Sequence, residues 1–288
     1  VALNNMMFVS GLEFAKLCDL VVICSWVMPK EMKTKVKRYI FMDDGYGTRN
    51  DAGTEDEQMI VTQSKIIFFQ KNCLFHFLNL FGNHLRDDVT FVTHNSDYPI
   101  SEQLDMAVLS NPKVKKWYGQ NAVFNHPKLT CIPIGIGNSN TLNPFLERTI
   151  QMNICKENLI YINFNIETNK RRKTILNILI DKKFDIQRER SYKEYLKELS
   201  SYKFCICPAG NGIDTHRVWE CLYLNVIPII KRSPVFEKMS DLPILMVDDW
   251  SVISRDFLEF KYKIFSSKNF RREKLNMEYW AYQILLTS

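Results

Sequence analysis

Short apolar runs alternate with amphipathic stretches along most of the chain, the pattern of buried strands joined by helices. Residues 12–17 predict a short helix that leads into a buried strand at 19–26. Tyr39–Met42, 65–69 and 90–93 predict further strands, 73–81 an aromatic helix, and 104–109 and 128–133 further short elements. Residues 43–57, rich in Gly, Asp, Asn and Thr, predict a long loop. The second half predicts a strand at 159–164, a polar loop at 165–172, a helix at 174–180, a short strand at 184–186 and an amphipathic helix at 192–199. Alternation of this kind predicts α/β layers around parallel strands. Between the halves, residues 135–144 gather Gly, Asn, Ser, Thr and Pro. This break sets a boundary within 140–155, giving domains 1–145 and 146–288. Each half reads as a β-α-β layer, so the expected fold class is α/β with two facing Rossmann-like domains.

The densest signal lies in residues 201–230. The run 203–207 is apolar and strand-like, and Pro208 ends it. Gly210 and Gly212 flank Asn211 and permit a tight turn. Asp214 or Thr215 then caps a helix running to about Leu224, Asn225 suits its C-terminal stop, and 226–230 is the next buried strand. A helix that starts directly above a glycine loop presents free backbone N–H groups, and phosphate is their usual occupant. Arg217, in the first turn, can meet a pyrophosphate with a bidentate contact. Glu220 follows on the same helix face and can accept both hydroxyls of a ribose. Phosphate, arginine, ribose and glutamate thus fall in the order of a sugar nucleotide. The plainer reading is an Arg217–Glu220 surface pair at i,i+3.

Composition narrows the field. The chain has 288 residues, 46% hydrophobic and 24% charged, which is ordinary globular usage and comfortable for two domains. No segment approaches the ~20 apolar residues of a membrane span, and Glu13, Lys16 and Asp19 interrupt any signal-peptide core. The net charge of +6 is modest and spread, apart from 30–38 and 170–173. A nucleic-acid partner is therefore not expected, whereas a sugar nucleotide needs only a local positive site. The eight cysteines are scattered, mostly inside apolar runs, and read as buried free thiols of a reducing, cytoplasmic compartment. Cys205 and Cys207 share one strand face but have no His or Cys partner at ligand spacing, so no metal site is expected. There is no P-loop, no third glycine after Asp44-Gly-Tyr-Gly47 and no G-x-S-x-G elbow, so ATP chemistry and hydride transfer lose ground.

The run Pro208-Ala-Gly-Asn-Gly-Ile-Asp-Thr-His-Arg-Val-Trp-Glu220, closed by Val226-Ile-Pro-Ile-Ile230, resembles the donor-site segment of exostosin-like (family 47-type) glycosyltransferases with the GT-B fold. Leu242-Pro-Ile-Leu-Met-Val-Asp-Asp-Trp250 is similar to the strand and turn that follow it, and Glu278-Tyr-Trp280 to the terminal helix. Less specifically, Phe91-Val-Thr-His-Asn-Ser-Asp-Tyr-Pro-Ile100 and Trp117-Tyr-Gly-Gln-Asn121 with Ile132-Pro-Ile-Gly-Ile136 resemble the acceptor half.

The likeness implies a C-terminal helix that packs back across two GT-B domains. It also implies inverting transfer of a sugar from a UDP-sugar to a glycan hydroxyl. The donor would bind through residues 161–250, with Gly210, Asn211, Gly212, Thr215, Arg217 and Glu220 in contact, and the acceptor through residues 1–140. Arg171 and Arg172 either reach the diphosphate or form a solvated helix start. Asp43-Asp44 and Asp248-Asp249 are adjacent pairs rather than Asp-x-Asp, and the second matches a structural turn. Catalysis is therefore expected to need no metal, and the UDP-sugar is a co-substrate rather than a cofactor. His94 and Asp97, just past the strand 90–93, are the candidate bases. Each also has a structural reading, His94 as a satisfied loop histidine and Asp97 as a turn cap. Asp43 and Asp44 are reserves. Secretory relatives carry an N-terminal membrane anchor. None is evident here, and the start at Val1 leaves open one lost by trimming. Anchorless, Lys/Asn/Ile-rich members from large DNA viruses lend a lead towards xylose. The alternative is a non-catalytic nucleotide- or carbohydrate-binding protein on the same scaffold.

Overall fold

The computed structural model describes residues 7–24, 35–42, 53–139 and 142–288. The chain divides into two compact units, Val1–Ile134 with Met277–Ser288, and Gly135–Asn276. The division thus falls at the glycine that opens the predicted break, some residues before 145. The last helix belongs to the first unit rather than the second. Among the described residues no helix is long and apolar enough to cross a membrane.

The first unit contains α1 (Gly11–Leu17), β1 (Leu20–Cys24), β2 (Tyr39–Met42), α2 (Glu55–Gln63), β3 (Ile66–Gln70), α3 (Leu74–Phe81), β4 (Val89–His94), α4 (Glu102–Ser110), β5 (Val114–Gln120) and β6 (Leu129–Ile132). Its sheet has the order β2-β1-β3-β4-β5-β6 and every pairing is parallel. The central strands β3 and β4 are buried along their whole length, as expected of a sheet with helices on both faces. The C-terminal helix Met277–Thr287 closes this unit: Trp280 meets Phe14 of α1 edge-on at 6.4 Å, and the Tyr118 hydroxyl donates to the Gln283 carbonyl at 2.9 Å.

Several elements depart from the sequence reading, which has no counterpart for the helices Asn143–Gln151 and Arg255–Ser267; three further departures have local causes. Part of the predicted loop 43–57 is α2, which begins with a capping box in which Thr54 and Glu57 satisfy each other's backbone N–H groups. β5 has no counterpart among the predicted strands because Lys115 and Lys116 break its apolar pattern. Residues 184–186 form no strand; Phe184 instead drops its ring into the core of the second unit, and Gln187 N–H donates to Ile162 O at 3.0 Å.

The second unit contains α5 (Asn143–Gln151), β7 (Asn158–Tyr161), α6 (Arg171–Asp181), α7 (Tyr192–Leu199), β8 (Tyr202–Ile206), α8 (His216–Tyr223), β9 (Ile227–Lys231), α9 (Pro234–Glu237), β10 (Leu245–Val247) and α10 (Arg255–Ser267). Its four strands are parallel in the order β10-β9-β8-β7. The order is progressive, so this sheet lacks the reversal of a doubly wound Rossmann domain. The first unit has such a reversal, between β1 and β3. One sheet face buries Ile160, Phe204, Ile206, Ile229 and Val247 against Ile175 and Leu179 of α6 and Leu258 of α10. The other face carries Tyr161 and Cys205, and Tyr161 packs against Tyr195 of α7 with ring centroids 5.9 Å apart.

Candidate functional site

The segment 201–230 folds as strand, loop, helix and strand. Thr215 is extended and N-caps α8, but its side chain makes no capping hydrogen bond; Val218 N–H donates to Thr215 O at 3.0 Å, which leaves the His216 and Arg217 N–H groups directed outward. The Asp214 carboxylate turns inward and accepts the indole N–H of Trp219 at 2.9 Å, fixing the segment before the helix to the end of its first turn. Asn225 has φ 56°, the left-handed residue that ends α8, and Val226 N–H returns to Cys221 O at 2.8 Å. Gly210 and Gly212 do not adopt positive φ. The loop is held instead by hydrogen bonds: Gly210 N–H donates to Gly212 O at 3.0 Å, and the Asn169 amide donates to Gly210 O at 2.8 Å.

Arg172 is the clamp on this loop. Its guanidinium donates to Ala209 O at 2.9 Å, to Pro208 O at 3.2 Å and to Asn165 O at 2.9 Å, tying the carboxyl end of β8 to that of β7. Arg171, one residue earlier, is exposed and faces away from the pocket. Arg172 thus lines the pocket with its guanidinium nitrogens donating to backbone carbonyls, and Arg171 stands at the solvated start of α6.

Above the loop lies a pocket of about 860 Å³, within the usual range for small-molecule sites. Thr215, Arg217, Glu220 and Arg172 line it, together with Arg190 and Tyr192. Three arginines (172, 190 and 217) and two glutamates (189 and 220) line it, and Arg190 also pairs with Glu198 at 3.4 Å. Arg217 donates to the Asn163 carbonyl at the end of β7 and stacks over the Tyr195 ring, 5.4 Å from its centroid. Burial opposes its charge. Tyr195, the sulfurs of Cys205 and Cys207 and the Glu220 carboxylate outweigh that effect, and they hold its pKa above the usual arginine value.

Glu220 is buried and does not pair with Arg217 on the surface. Its Oε1 accepts the Tyr192 hydroxyl at 2.9 Å and its Oε2 accepts the Tyr195 hydroxyl at 2.7 Å. Burial, and then the neighbouring carboxylate, push the Tyr192 and Tyr195 hydroxyls above the usual phenol range, so both stay protonated donors. Each carboxylate oxygen keeps lone-pair capacity for a further hydroxyl. No protein-family model matches the chain, and no curated protein matches it either.

In the first unit, His94 and Asp97 have different surroundings. His94 is buried at the end of β4. Its Nδ1 accepts the Asn95 N–H at 2.8 Å, which leaves Nε2–H to donate to Pro133 O at 3.0 Å. Both ring nitrogens are engaged, so His94 fits the structural reading. Asp97 is exposed and has no side-chain partner among the described residues. Asp43 and Asp44 lie outside the described residues. The Asp248-Asp249 pair is a turn: Asp249 accepts the Ser251 N–H at 2.7 Å, and Asp248 pairs with Arg232 at 2.8 Å.

Sequence reasoning missed Arg190, Tyr192 and Tyr195. The signal was present in the capping box Ser191–Glu194, which starts α7 and fixes Tyr192 and Tyr195 at i,i+3 on one face. The cysteines also depart from expectation. Cys73 is disulfide-bonded and so is not a free thiol. Cys205 and Cys207 do have a third sulfur beside them, that of Cys221 in α8, with Cys207 Sγ 3.8 Å from Cys221 Sγ.

Proposed function

We propose that the chain is a glycosyltransferase that binds a UDP-sugar in the pocket of its second unit. It transfers the sugar to a glycan hydroxyl with inversion. The observation that carries this reading is the convergence of Arg217, the uncapped N-terminus of α8 and the Arg172-pinned loop on one pocket whose far wall is the Glu220 carboxylate. In this reading the diphosphate meets the α8 N–H groups and Arg217, which take up the negative charge that develops on the leaving group. The ribose hydroxyls donate to Glu220, whose position is fixed by two tyrosines. Asp97 is the proposed base and the first unit binds the acceptor. Xylose is the leading donor sugar because of the likeness to Lys/Asn/Ile-rich viral members of the family.

A panel of UDP-sugars, assayed by UDP release with the protein's own glycan or a simple glycoside as acceptor, tests this reading. One donor is expected to turn over well above the rest. Activity is expected to persist in EDTA, because arginine and helix N–H groups supply the positive charge. Complete loss in EDTA, restored by Mn²⁺ or Mg²⁺, would refute the metal-free mechanism.

Glu220→Gln separates ribose binding from tyrosine support. Loss of the charged acceptor is expected to weaken UDP binding by roughly tenfold, at about 1.4 kcal/mol per decade. Isothermal titration reads it. A lowered Tm with wild-type UDP affinity would make Glu220 only the anchor of Tyr192 and Tyr195. A non-catalytic nucleotide-binding protein is the second reading, and the observation in its favour is the full engagement of the His94 ring. Tight UDP binding with no donor hydrolysis or transfer would select it.

A further inference from the structure

Three buried sulfurs converge behind the pocket. Cys205 lies on β8, Cys207 just past its end and Cys221 in α8, with exposures of 0%, 3% and 0%. All three sulfurs lie within 4.8 Å of one another, and Cys207 and Cys221 are 3.8 Å apart. Their other polar contacts are weak: Cys205 Sγ to Ile206 O and Cys207 Sγ to Cys205 O, both at 3.6 Å. Buried thiols that serve as small apolar side chains have no need to point at a common centre. A metal–thiolate bond of about 2.3 Å places the sulfurs of a three-sulfur site about 3.8–4.0 Å apart. The Cys207–Cys221 separation already matches that spacing, and the third sulfur needs at most a shift of under about 1 Å.

We propose that Cys205, Cys207 and Cys221 form a three-thiolate structural binding site for one divalent thiophilic ion of the zinc or cadmium type. Soft sulfur ligands select this class over magnesium or calcium. Charge balance selects a divalent ion over a monovalent one. Binding needs all three sulfurs as thiolates and releases the protons they carry. The resulting M²⁺(S⁻)₃ group carries one negative charge, which the Arg217 guanidinium, already felt by Cys205 and Cys207, offsets. The ligands sit at both ends of the segment 208–220, so the ion staples the anion loop and the N-terminal half of α8 to β8. The role is to hold the loop. The ion does not face the pocket, and the metal-free transfer chemistry is unaffected.

The test is titration of the reduced, metal-free chain with Cd²⁺, read by the ultraviolet thiolate-to-cadmium charge-transfer band and by proton release in weak buffer. One equivalent is expected, with protons released on binding. Cys207→Ser and Cys221→Ser are each expected to weaken binding by at least about 100-fold. Cys155→Ser, at an exposed thiol outside the cluster, is expected to bind as wild type. X-ray absorption at the zinc edge of the wild-type Zn²⁺ form keeps the proposal testable where a buried variant fails to fold. Three sulfurs at about 2.3 Å are expected. No uptake by the wild type, uptake unchanged in both serine variants, or a zinc shell without sulfur would each overturn the proposal.

Discussion

Arg217→Ala is expected to lower kcat/KM by roughly 30- to 1,000-fold while the chain stays folded. The figure corresponds to about 2–4 kcal/mol for loss of one charge-assisted contact to a developing phosphate charge. The native guanidinium is held by the Asn163 carbonyl and the Tyr195 ring, so it is aimed before the ligand arrives and little ordering remains to be done on binding. Arg217→Lys keeps the charge but loses the planar fork and should fall between the two. Circular dichroism and Tm separate a lost contact from a lost fold. Wild-type kcat/KM in a well-folded Arg217→Ala chain would remove the donor assignment.

Asp97→Asn is the second large effect. A general base acts in the transition state and not in nucleotide binding, so kcat should drop by roughly 10²–10⁴ with UDP affinity unchanged. His94 provides the contrast. Its Nε2–H is committed to Pro133 O and its Nδ1 to the Asn95 N–H, so His94→Ala should reduce stability by leaving a buried carbonyl unpaired. Near-normal kcat in Asp97→Asn, with a large loss in Asp44→Asn, would move the base to the Asp43-Asp44 pair.

The sequence reading succeeded where the signals are local. Pro208 closing an apolar run, Thr215 before a helix and Asn225 after it are each decided within a few residues, and the segment folds as those residues dictate. Glu220 was placed in the site, but its real partners were invisible. Tyr192 and Tyr195 reach it from a helix 28 and 25 residues away in sequence, and only tertiary packing brings the two together. The same limit hid Cys221, whose spacing from Cys207 matches no ligand motif because half of it is a helix turned back on a strand. Other misses were local competition rather than distance. Gly- and Asp-rich surroundings obscured the Thr54–Glu57 capping box, and two lysines obscured β5. The terminal helix was expected only from the likeness of Glu278-Tyr-Trp280 to exostosin-like enzymes. Its membership of the first unit depends on Trp280 meeting Phe14, a contact between opposite ends of the chain.

The central claim is that the second unit holds a nucleoside-diphosphate site built on Arg217 and the start of α8. Isothermal titration of UDP, with uridine and UMP alongside, into wild type and Arg217→Ala tests it most directly. UDP is expected to bind wild type more tightly than UMP and far more tightly than uridine, with the diphosphate advantage largely lost in Arg217→Ala. Equal affinity for all three, or no UDP binding to the wild-type chain, would contradict it.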